Sequence, residues 1–158
     1  MVLMVSKAPP PQAERATRTS RPGPWPTCWP EREKLLERQH QILQEQIGEL
    51  ILAVIAGTGE PQALAERHSR CQRLLRQLRL HLRLEERWLA ACGCLCPGHR
   101  AIHQLVVHET EAGLNKAAAV RQQQLLWLRG LQAWLQEHTG GPDAHAYGIA
   151  RSLAPHQP

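Results

Sequence analysis

From Glu31 to His138 the apolar residues of this chain recur every three or four positions, the period of helices buried on one face. The first stripe runs Leu36, Leu43, Ile47, Leu50 and Val54. It predicts a helix from about Glu31, just after Pro30, to the stop at Gly57 and Gly59. Glu31 and Glu33 in its first turn suit the positive end of the helix dipole. A second helix is predicted from about Pro61 to Cys92, with Cys71, Leu74, Leu78, Trp88 and Cys92 on its stripe and Gly93 ending it. The third starts near Pro97, a residue suited to a first helical position, and carries Ile102, Val106, Thr110 and Gly113. Its end near Asn115 is weakly marked, because Ala117, Ala118 and Ala119 favour continuing. The fourth reaches about His138 with Leu128, Leu131 and Leu135 on one face. Gly140-Gly141-Pro142 predicts a decisive break there, leaving Tyr147 in a short final segment.

Strand-type alternation is nearly absent, so the predicted fold is all-α: an up-down-up-down four-helix bundle over residues 30–153. Residues 1–29, rich in Pro, Ser, Thr and Arg, predict a disordered tail from which Trp25 and Trp29 could pack onto the bundle; residues 154–158 form a second short tail. With no Phe, one Tyr and five Trp, the core must be filled by Leu, Ile, Val, Ala and Trp.

The stripes are interrupted by polar residues, and these interruptions are the most informative feature of the chain. His40 falls on the first stripe, His81 and Glu85 on the second, His99 and His103 on the third, and His138 on the fourth; Asp143 follows just beyond. An up-down-up-down order brings together the start of the first helix, the end of the second, the start of the third and the end of the fourth. All seven residues lie near those ends. His81 and Glu85, like His99 and His103, are four apart and share a helix face. Each unsatisfied buried polar group costs roughly 1–3 kcal/mol, and an unpaired buried carboxylate several. Bound metal compensates for so many most simply. Imidazole suits iron, copper, nickel and zinc, and five nitrogens with two carboxylates exceed what one ion normally takes. Two ions bridged by the two carboxylates would use all seven. A ferritin-like site would need two Glu-x-x-His motifs, and this chain has one, Glu37 to His40.

The segments "LERQH" ending at His40, "HLRLEE" from His81, "HRAIH" from His99 and "WLQEHTGGPD" from Trp134 to Asp143 resemble the hemerythrins, most closely bacterial single-domain members, over about Trp29 to Tyr147. The resemblance implies two non-haem iron ions, carboxylate- and oxo/hydroxo-bridged. His99, His103 and His138 would hold one, and His40 and His81 the other, which keeps an open position. Glu85 and Asp143 would bridge them. It further implies reversible O2 binding in a dry pocket, with Leu135 at the covering position and Trp134 packing beside it. This sequence departs from the family pattern at Glu37, where the family has Asp, at Leu82, where it has Phe, and in the Cys94-Leu95-Cys96-Pro97 turn.

The function expected is therefore O2 storage, delivery or buffering without catalytic turnover, so not an enzyme. The alternatives are a sensor or redox protein responding to O2, nitric oxide or peroxide through the same site, and a metal-free helical interaction module. Sensor members of the family are fused to signalling domains, for which this chain has no room. The net charge of +5 is concentrated in residues 1–30, which hold Lys7, Arg15, Arg18 and Arg21 against Glu14. Arg70, Arg73, Arg76, Arg79 and Arg83 recur along the second helix with few aromatics between them. They read as a solvated face rather than a phosphate-binding one. The partner implied is O2, with no nucleic acid, no membrane, and any protein partner left open. Five cysteines, three crowded at Cys92, Cys94 and Cys96, do not form a disulfide framework, and their one-residue gaps are unlike zinc spacings, so small-residue packing is expected. With no signal-peptide stretch and no apolar run of membrane-spanning length, a cytoplasmic location is expected. Glu86 reads as a solvated carboxylate, or one that supports the site, rather than a ligand; His68, His108, His145 and His156 read as surface residues, and Trp88, Trp127 and Trp134 as core or near-core.

Overall fold

The structure, a computed structural model, describes residues 29–153. Residues 1–28 of the predicted N-terminal tail, the tail 154–158 with His156, and the side-chain packing of Trp25 and Trp29 lie outside what is described; the backbone of Trp29 already belongs to the first helix. Helix α1 spans Trp29–Ala56, α2 Pro61–Ala91, α3 Pro97–Ala117 and α4 Arg121–His138, and the described residues contain no strand. A π-helical turn over Thr139–Asp143 joins α4 to a last helix, α5, Ala144–Leu153. Each long helix packs on two others: α1 on α2 and α4, and α3 on α2 and α4.

The helix ends follow from local chemistry. Pro61 and Pro97 occupy first-turn positions, where no N–H is needed, and Cys96 caps α3 by accepting from His99 N at 3.3 Å. Gly93, at φ +70°, takes the left-handed conformation that ends α2. At the far end of the bundle two arginines hold the C-terminus of α1. Arg121 donates to Val54 O and Ile55 O at 2.8 and 2.7 Å, and buried Arg67 donates to Thr58 O at 2.6 Å. Cations there complement the negative end of the helix dipole. A Cβ at Gly57 would come within 2.5 Å of Arg67 Nη1, so glycine leaves room for that contact. Gln124 completes the knot, accepting from Arg67 Nε and donating to Leu64 O and Ala118 O.

Two points correct the sequence reading. Ile102 is exposed, not on the buried stripe, while Leu114 is buried. The face of α3 runs His99, His103, Val106, Thr110, Leu114, Ala117, and Ile102 stands at its edge. Nor does Gly140-Gly141-Pro142 break the chain's helical course. Pro142 cannot donate to an i−4 carbonyl, and a wider turn with i+5 pairing absorbs that loss, so the backbone passes into α5 in helical conformation.

Apolar packing divides into two clusters. The larger gathers Leu43, Ile47, Leu50, Leu74, Leu78, Leu82, Val106, Leu128, Leu131 and Leu135 among others; the smaller holds Leu36, Trp88, Leu89, Ala146, Tyr147 and Ala150. His40 sits between Leu36 and Leu43, and Glu85 between Leu82 and Trp88, so a polar layer separates the clusters. No helix is long and apolar enough to cross a membrane among the described residues.

Candidate metal centre

All seven sequence-predicted site residues come together in that polar layer, and all seven are buried. They form two groups able to hold a metal ion: Glu85, His99, His103, His138 and Asp143, and His40, His81 and Glu85. Glu85 belongs to both. Asp143 touches both as well, its Oδ2 lying 3.2 Å from His40 Nε2 and its Oδ1 3.2 Å from His99 Nε2.

Helix geometry explains the convergence. The His81–Glu85 and His99–His103 pairs are one turn apart on helices that meet at this end. Asp143 is different: residues five apart on an α-helix lie about 140° apart, which would turn Asp143 away from His138. The π-helical turn between them removes that offset. Asp143 Oδ1 lies 2.9 Å from His138 Nε2, so the Gly-Gly-Pro run is what lets a loop-like sequence present a carboxylate to the pocket.

Three imidazoles point their Nε2 atoms at one place. His103 Nε2 is 3.0 Å from His99 Nε2 and 2.9 Å from His138 Nε2, and 3.3 Å from Glu85 Oε2. His40 and His81 meet edge to face with ring centres 4.3 Å apart. His81 Nε2, Glu85 Oε2 and both Asp143 oxygens are buried without a hydrogen-bond partner, although histidine nitrogens lie within about 3 Å of Asp143 and Glu85 Oε2. Close approach without hydrogen-bond alignment is compatible with groups that could share a metal ion.

Outer contacts fix which nitrogen faces inward. Gln39 Oε1 takes His81 Nδ1 at 2.9 Å, and Glu86 Oε1 takes His103 Nδ1 at 3.0 Å, leaving each Nε2 for the pocket. Tyr147 donates to Glu85 Oε1 at 2.5 Å. Trp134 stacks on His138 with ring centres 4.6 Å apart, and Leu135 is buried one turn before it. Of the two roles open to Glu86, solvated or supporting the site, its contact with His103 matches the second. Gln39 and Tyr147 were not singled out by sequence. Gln39 stands inside the "LERQH" segment, next to His40, and could have been found by asking which residue of α1 faces α2. Tyr147 was hidden by the predicted break.

Electrostatics differ among the imidazoles. Burial, then the charge of His40, pushes His81 down to about 3. Burial outweighs the nearby Glu85 and takes His103 down to about 4. Burial also opposes charge on His99, but the carboxylates of Asp143 and Glu85 outweigh it and raise His99 to about 9. Burial alone would raise Asp143, yet contact with His138, His40 and His99 holds it well below the usual carboxylate range. Burial and the neighbouring Glu85 push the Tyr147 hydroxyl far up, so it stays a donor. Without metal, His99 is therefore held as an imidazolium beside Asp143 and Glu85, while the rings of His81 and His103 stay neutral.

The remaining candidates sit elsewhere. His108 and His145 are exposed, and His68 is half-buried against Gln72. Trp88 is buried, and Trp127 and Trp134 pack half-buried against the larger cluster. The cysteines of the α2–α3 connection join no metal-holding group among the described residues. Cys92 Sγ donates to Trp88 O, and Cys92 and Cys94 pack on the smaller cluster. The chain matches no family model, no curated protein and no solved structure.

Proposed function

We propose that this chain is an up-down-up-down bundle of the hemerythrin kind, that its seven-residue cluster holds two iron ions, and that it binds O2 reversibly to store, deliver or buffer it. The observation that supports this reading best is the partition of the donors into two groups that share Glu85 and are both touched by Asp143. His99, His103 and His138 would hold one ion and His40 and His81 the other, and the two carboxylates lie within reach of both groups. Three nitrogens against two make the two sites unequal, and an ion in the second would have one protein donor fewer.

Imidazole suits iron, copper, nickel and zinc, and carboxylate suits harder ions, so a set of five imidazoles with two carboxylates fits iron. A ferrous pair supplies the electrons on which reversible O2 uptake draws.

The chain's own residues keep that chemistry contained. Leu135, buried beside His138, and Trp134, stacked on it, exclude water from the pocket. Gln39 and Glu86 hold His81 and His103 in one tautomer. Tyr147, with its hydroxyl proton held firmly, orients Glu85. Free thiols at Cys71, Cys92, Cys94 and Cys96 suit a reducing compartment such as the cytoplasm. The test is metal analysis of purified protein together with aerobic and anaerobic spectra. The expected result is two irons per chain and charge-transfer absorption that vanishes on deoxygenation. Iron-loaded protein whose spectrum ignores O2 overturns the carrier reading, and protein that takes up no iron overturns the site.

A further inference from the structure

We propose that two copies of this chain associate through the open face shared by α1 and α2, Ile42 of each copy resting on Leu80 of the other, with Glu45 and Glu49 against the other copy's Arg70 and Arg73. Ile42 is 39% exposed and Leu80 55%, each an apolar residue within a charged surface. Ile42, Glu45 and Glu49, spaced three and four apart, share one exposed face of α1. Arg73, Leu80 and Arg87, spaced seven apart, form one exposed line along α2. Acids with an apolar residue thus run along one helix, and arginines with an apolar residue along its neighbour.

The two lines are in register. Gln39 of α1 reaches His81 of α2, while Gln46 and Glu49 border the same groove as Arg70, Arg73 and Gln77, so the helices run antiparallel with these levels matched. Ile42 to Glu49 and Leu80 to Arg73 are both seven residues, about 10.5 Å of helix. Ile42 and Leu80 therefore stand at similar heights, as do the Glu45–Glu49 and Arg70–Arg73 pairs. A half-turn about an axis lying in this face, parallel to the helices, sets α1 of one copy over α2 of the other at equal height. Acid then meets arginine twice and Ile42 meets Leu80 twice. Such a contact is self-complementary and closes at two copies.

Among the described residues Glu45, Glu49, Arg70 and Arg73 make no ion pair, whereas Arg79 pairs with Glu111 and Arg100 with Glu86. Those flanking acids on the α3 side confine the positive strip to about the width of one helix, which fits a facing helix better than a broad polyanion. Guanidinium forks bind carboxylates bidentately. Exposed ion pairs contribute little energy each, so the charges act chiefly in choosing the partner, and salt weakens the pairing.

Charge reversal tests this on the full chain by sedimentation velocity at low and high salt, with circular dichroism to check folding. Wild type is expected at twice the monomer mass at low salt. Glu45→Arg with Glu49→Arg, and separately Arg70→Glu with Arg73→Glu, should each give folded monomers, because like charges then meet. Mixing the two variants should restore a one-to-one dimer. A wild type monomeric at low salt and high concentration overturns the proposal, as does dimerisation that survives either reversal or a mixture that stays monomeric. Duplex DNA binding by a monomeric wild type, lost in the Arg70→Glu, Arg73→Glu variant, would overturn it in favour of a polyanion.

Discussion

The Tyr147 hydroxyl donates to Glu85 Oε1 at 2.5 Å, tying the last helix to the one carboxylate that belongs to both groups of candidate ligands. Tyr147 also packs edge to face on Trp88, with ring centres 4.8 Å apart, so its position is set by the smaller apolar cluster rather than by the polar layer. Packing and ligand geometry are thereby coupled through a single oxygen.

Tyr147→Phe keeps the ring and removes the donor. Leaving one Glu85 oxygen without its partner costs the metal-free protein roughly 1–3 kcal/mol. Loss of such an outer hydrogen bond weakens metal binding about 10- to 100-fold. Iron titration against a competing chelator, with a thermal melt of the same sample, checks both figures. Unchanged affinity would mean that Trp88 packing alone positions α5.

If the cluster holds two irons as proposed, His81→Ala should abolish or strongly impair loading of one of them, while His108→Ala leaves loading as in wild type. His81 is buried with an unpartnered Nε2 aimed at His40 and Glu85, whereas His108 is exposed on α3. Iron per chain, measured after anaerobic reconstitution and desalting, separates the two. Equal losses would place the second ion elsewhere.

Acid and base should affect the metal-free protein through different histidines. His81 and His103 are held near 3 and 4 when folded, against an ordinary value of 6.5. Below about 6.5 the unfolded chain therefore takes up protons that the folded chain refuses, and stability falls as pH falls. His99, raised to about 9, works the other way: its contribution is full below about 6.5 and is lost as pH rises through 9. Urea melts of metal-free protein from pH 4 to 10 should therefore show a maximum near pH 6.5. Stability that climbs steadily from pH 7 to 10 would contradict the His99 assignment.

How much of this was legible in the sequence depended on periodicity. Where polar residues interrupted a regular stripe, as His40 does between Leu36 and Leu43, burial and convergence could be read directly. Asp143 could be set near the cluster by its place just past the fourth helix, but its ligand role rested mostly on the resemblance, because its placement depends on a π-helical turn and nothing in the residues Gly140-Gly141-Pro142 distinguishes a widened turn from a break. Tyr147 was lost with it. Gln39 and Glu86 were harder for another reason: a polar residue flanking a ligand looks like solvent-facing sequence until the neighbouring helix is placed against it. Ile102 failed because a spacing of three from His99 lands at the margin of a stripe, where packing distance rather than pattern decides exposure.

The last prediction concerns the cover over the pocket. Leu135 is 1% exposed and belongs to the larger apolar cluster, one turn before His138. Leu135→Asn would set a polar amide against the proposed metal pocket and admit water where hydrocarbon now excludes it. If the protein carries O2 as proposed, its oxygenated form should autoxidise several-fold faster in this variant, read as the decay of the charge-transfer band in air. The substitution also removes buried hydrocarbon and costs about 2–5 kcal/mol of stability. Leu131→Ala therefore serves as a control, since Leu131 is buried in the same cluster but further along α4 from His138. Comparable destabilisation with faster decay only in Leu135→Asn assigns the effect to pocket access. Equal decay in both variants would show that general loosening of the bundle, and not this side chain, governs water entry.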